Sequence, residues 1–106
     1  MSTKTIFRKA KVFKARTFAG VLEETSGGFR FSCDESYQGP PVSLTMPIDK
    51  REWEWKGFPP FFDGLLPEGM QLEALLKARK LDRSDFFGQL IVVGQDLVGD
   101  VTVEGI

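Results

Sequence analysis

Apolar and polar residues alternate through the first third of the chain, and the second half shifts to helical spacing. Residues 11–16 form a half-polar run (Lys11, Val12, Phe13, Lys14, Ala15, Arg16) that reads as a strand. Residues 17–24 read as a second strand, with Gly20 marking a bulge. Ser26-Gly27-Gly28 is a tight-turn signal, because glycine supplies the positive φ that hairpin turns require. Residues 29–33 alternate cleanly and place Phe29, Phe31 and Cys33 on one face. Gly39-Pro40-Pro41 interrupts the pattern, and residues 42–46 resume it as a short strand ending at Pro47. In Arg51-Glu52-Trp53-Glu54-Trp55-Lys56, strand geometry puts both indoles on one face and the charges on the other.

From Phe61 the period lengthens. Phe61, Phe62, Leu65 and Leu66 fit one helical face closed by Pro67. A second helix starts near Glu68 with Leu72, Leu75 and Leu76 at core spacing and Glu73 and Lys77 as an i,i+4 pair. Asp82 or Ser84 caps a third helix that turns Phe86, Phe87, Leu90 and Ile91 inward and stops at Gly94. Residues 101–103 close the chain as a strand. The expected fold is α+β, a small and largely antiparallel sheet packed with short helices, with Phe29, Phe31, Leu72 and Leu75 in its core. With 106 residues there is room for a single domain, spanning 1–106.

Charge changes the picture locally. The net charge is −1, yet Lys4, Arg8, Lys9, Lys11, Lys14 and Arg16 precede the first acid, Glu23. Residues 1–9 therefore read as a flexible basic arm, or the whole run as a strand whose lysines discourage edge pairing. A nucleic-acid module using this arm, with Trp53 and Trp55 as stacking surfaces, conflicts with the eight basic against fifteen acidic residues that follow. No direct nucleic-acid contact is expected.

Two absences limit the chemistry. There is no His, which removes the Ser-His and Cys-His nucleophile systems and the common zinc sites. There is no Asn, hence no glycosylation acceptor. The single cysteine, Cys33, forms no internal disulfide and reads as a small core residue. No apolar run reaches the roughly 20 residues of a membrane helix. These features lead to the expectation of a cytoplasmic, non-catalytic protein with no cofactor and no metal. Gly64 to Gly69 has phosphate-loop glycine spacing, but Met70 and Gln71 stand where Lys and Ser or Thr are required.

Residues 58–70 pack three prolines among large apolar side chains, a stiff segment that plugs one end of a sheet. Met70 is the exception, lying about 160° from Leu72 around the helix axis. An exposed, adaptable Met beside a rigid Pro67-Glu68-Gly69 turn reads as a partner contact. Trp53 and Trp55 read equally as core or as binding anchors.

Phe61-Phe62-Asp63-Gly64-Leu65-Leu66-Pro67-Glu68-Gly69, followed by a leucine-rich helix, resembles the signature of the HipA-type N-terminal subdomain. Ala19 to Glu23, Gly28 to Phe31, Val42 to Pro47, and Asp85 to Leu90 with Gly94 to Val101 are similar to that subdomain's other motifs. The resemblance covers about residues 10–104 and departs at Asp100, where the family usually has Ala. It implies a detached piece of a Ser/Thr kinase toxin, similar to the HipS antitoxin that neutralises the HipT kinase beside a DNA-binding HipB partner. It further implies that the side chain after Pro-Glu-Gly, here Met70, reaches the kinase. The resemblance also admits an N-terminal fragment of a HipA-type kinase.

Overall fold

The computed structural model describes residues 5–42, 51–95, 97 and 100–106. Among these residues five strands form one antiparallel sheet: β1 (Ile6–Lys14), β2 (Thr17–Thr25), β3 (Gly28–Cys33), β4 (Glu52–Trp55) and β5 (Val101–Gly105), in the spatial order β4-β3-β2-β1-β5. The described helices, α1 (Pro60–Asp63), α2 (Gly69–Arg79) and α3 (Phe86–Val93), lie between β4 and β5 in the chain. The α+β architecture expected from the periodicity is the one observed.

Register sorts the side chains. Trp53, Phe31, Leu22 and Ala10 are successive cross-strand partners, so one row of apolar side chains runs across four strands on the inner face. Val12 and Val103 pair in a second row. On the outer face, Lys9, Glu23, Arg30 and Glu54 follow one another in the same way, alternating in sign. Arg30 Nη2 lies 2.8 Å from Glu23 Oε1, and Lys9 Nζ lies 3.9 Å from Glu23 Oε2. This ladder explains the charge pattern around the tryptophans: Glu52 and Glu54 face outward because Trp53 and Trp55 face in.

The core is formed by Ala10, Val12, Leu22, Phe31, Phe62, Phe87, Leu90 and Val103, all 0–1% exposed, with further residues around them. Phe62 of α1 packs on Phe31 with ring centroids 6.0 Å apart. The α3 helix packs against β5, and Val103 N–H donates to Gly94 O at 2.8 Å, which covers part of the edge that β5 leaves open.

Several local expectations are corrected. The first strand ends at Lys14, because Ala15 and Arg16 form the two-residue turn with φ of 49° and 69°. Residues 6–9, read above within a basic arm, belong to β1, where Arg8 is held by two carboxylates. Leu72, Leu75 and Leu76 are half-exposed, and α2 has no buried residue. Phe86 is 40% exposed and rests on Phe58. The cap of α3 is Asp85, while Asp82 accepts the amide and hydroxyl of Ser84 in the preceding turn. Glu73 pairs with Arg83 rather than Lys77. The strand expected over 42–46 lies, beyond the buried Val42, outside the described residues.

Gly20 sits at the bulge, where β1 and β2 shift register, and an added Cβ would lie 2.2 Å from Ser32 O. Asp100 receives a 2.9 Å hydrogen bond from Lys14 Nζ, which holds its carboxyl below the usual range and gives the acid a partner in this turn.

Candidate partner-binding surface

The stiff segment starts with Pro59 in an extended conformation and Pro60 at the first helical position, where its missing N–H costs no hydrogen bond. A single helical turn follows, closed by Asp63 N–H to Pro59 O and Gly64 N–H to Pro60 O. Leu65 and Leu66 continue the coil through bonds to Phe62 O and Asp63 O. Phe62, fully buried, anchors this knuckle to the sheet.

Pro67 then turns the chain outward. Glu68 is extended at φ −130°, and Gly69, the first residue of α2, takes a left-handed φ of +59°. That reversal is where glycine is needed, since nothing lies within 4 Å of a Cβ placed there and only the backbone angle discriminates. The consequence is Met70, 89% exposed at the first turn of α2. Leu65, Leu66, Pro67 and Gln71 face Val93 and Leu97 across an open cavity of about 410 Å³ beside the turn. Val93 and Leu97 carry no sequence signal for this role, which arises only once α3 docks on β5.

Trp53 and Trp55 stand apart from the turn on edge strand β4. Both are half-buried and packed against the core, with Trp53 in register with Phe31 and Trp55 with Phe29. Phe31 and Phe62 are the packing link between the tryptophan side and the Pro67–Met70 side. Cys33 is half-buried, and burial pushes its thiol up despite the opposing influence of Arg51, so it is a poor nucleophile. Among the described residues no group of His, Cys, Asp and Glu side chains is arranged to hold a metal ion. No described helix is long and apolar enough to cross a membrane.

A family model for the HipA N-terminal domain matches residues 10–104. The chain belongs to the HipA N-terminal domain family. It is similar to a solved structure of the N-terminal domain of HipA toxin, at 32% identity and a TM-score of 0.77, covering all of this chain and 97% of that one. An uncharacterized protein of Haemophilus influenzae is 34% identical over 99 residues, 93% of each chain. The HipA N-terminal domain is a non-catalytic domain of the kinase family.

Proposed function

We propose that this protein is an antitoxin-type binding module that docks on a HipT- or HipA-like Ser/Thr kinase and neutralises it without chemistry of its own. The observation that carries the reading is Met70: a large apolar side chain held out to solvent by the left-handed Gly69, on a knuckle anchored by Phe62. A rigid backbone beneath an exposed apolar side chain confines the ordering cost of docking to that side chain's own rotamers. Pro67, Glu68, Gly69 and Met70 form the primary contact, and Trp53 and Trp55 stiffen or extend it from edge strand β4. Inhibition is steric, the module obstructing or distorting the kinase N-lobe. A HipB-like DNA-binding protein completes a ternary complex.

The H. influenzae relative, covered over 93% of its length, supports a domain that occurs without a kinase core. The match to the N-terminal domain of HipA toxin supports the second reading, a portion of a HipA-type kinase. A nucleic-acid module has less support, because Arg8, Lys14 and Arg30 are paired with carboxylates of this same chain.

Co-expression with such a kinase tests the proposal. The parent protein should restore growth. Met70→Ala should weaken rescue and Met70→Asp should weaken it more, with melting curves unchanged. Folded variants that rescue as well as the parent would show that Met70 is not the inhibitory contact.

A further inference from the structure

Helix α2 is at odds with the rest of the molecule. It contributes no buried residue, and its leucines pack only part-way. At about 100° per residue, Leu72, Leu75 and Leu76 cluster on one side, while Met70, Ala74 and Lys77 line the other. Met70, Ala74, Lys77, Ala78 and Lys80 are all exposed. The two alanines leave the backbone open to close approach between Met70 and the cations.

The described basic residues divide into paired and unpaired ones, and those of α2 belong with Lys11, Arg16 and Lys56 in the second group. Arg8, Lys9, Lys14 and Arg30 each pair with a carboxylate. Lys77, Arg79 and Lys80 form no ion pair among the described residues, and the neighbouring acid Glu73 is taken by Arg83 at 2.5 Å. The helix dipole favours cations in this last turn but leaves their charged groups facing water.

We propose that the outward face of α2 is a docking surface for a protein partner that offers an apolar pocket to Met70 and an acidic rim to Lys77 and Lys80. The proposal rests on the antitoxin reading above and adds the chemistry of the partner's surface. Lys77 lies seven helical steps beyond Met70, so the rim lies about 10 Å from the pocket. Charge complementarity of this kind acts chiefly on encounter rate and salt dependence, while the buried anchor governs dissociation.

The test measures binding of a HipA-type kinase lacking its own copy of this domain, at low and high salt. The double variants Lys77→Gln/Lys80→Gln and Lys77→Glu/Lys80→Glu are compared with the parent protein. Circular dichroism identifies any loss of helix from placing acids at the C-terminus, and the Gln pair serves where it occurs. The Glu pair should bind about tenfold or more weakly at low salt, the Gln pair should fall between, and both should flatten the salt dependence. If the parent binds and both pairs match it at every salt, the acidic-rim assignment is wrong while the antitoxin reading stands. If the parent does not bind the kinase, the antitoxin reading fails and this assignment with it.

Discussion

Arg8 and Asp85 are 77 positions apart in sequence and meet at 2.8 Å on the inner face of the sheet. The same guanidinium grips Glu24 through Nε and Nη2 at 2.7 and 2.9 Å, and lies 5.2 Å from the ring centroid of Phe87. Asp85 also accepts the Gly88 amide as the N-cap of α3, so one guanidinium, through two ion pairs, ties β1 and β2 to the start of the helix.

Asp85→Ala should therefore remove both a cap and a cross-link, costing about 1–2 kcal/mol after allowance for partial exposure. The Arg8 hydrogen bond holds the Asp85 carboxyl below its ordinary value, against an opposing effect of burial and with help from the Gly88 amide. A carboxyl with a folded pKa below its unfolded one stabilises fully at neutral pH and loses that contribution as pH falls below about 4. Chemical denaturation of parent and variant at pH 7 and pH 3 checks this: the gap should narrow in acid. A constant gap would refute the electrostatic part.

The core is not shared evenly between sheet and helices, and truncations should show it. Phe31, 1% exposed and packed on Phe62, should lose about 3–5 kcal/mol on Phe31→Ala. Leu72→Ala on the half-exposed α2 should lose about 1 kcal/mol or less, because little apolar surface leaves water there. Equal losses in urea titrations would place α2 in the core after all.

The contrast between Phe31 and Leu72 also shows what was legible in the sequence. Period-two alternation is a local property, so Phe29–Cys33 and Trp53–Trp55 could be assigned a face before any fold was known. Helical spacing of leucines is equally visible, but it does not say whether another element will cover that side. For α2 none buries it. The Met70 position followed from helix angle alone, whereas the groove with Val93 and Leu97 depends on how α3 meets β5. The Ala15-Arg16 turn carries no local signal for another reason: it lacks the glycine or asparagine that normally marks positive φ.

That omission is itself measurable. Ala15, Arg16 and Lys80 hold left-handed φ values of 49°, 69° and 54° without being glycine. Lys80 caps α2, donating its N–H to Leu76 O, and the following Leu81 N–H reaches the same carbonyl. Such residues carry roughly 1 kcal/mol of strain each, partly offset because glycine costs more chain entropy on folding. Arg16→Gly and Lys80→Gly should each stabilise by about 0.5 kcal/mol, read as a small rise in melting temperature. A fall in both would mean that their side chains make contacts worth more than the strain.

Gly69 offers the opposite experiment, since its left-handed φ of +59° is already met by glycine in open space. Gly69→Ala introduces no clash, so its whole effect must come from the backbone angle. The expected cost is roughly 1 kcal/mol, and Gly69→Asn should cost less because Asn tolerates this conformation better. The change should also reach Met70, whose exposure depends on the chain reversal at Gly69. Kinase binding by Gly69→Ala should fall further than stability alone explains, while Gly69→Asn should bind nearly as well as the parent. If Ala and Asn variants match the parent in both melting temperature and binding, the left-handed turn has no part in presenting Met70.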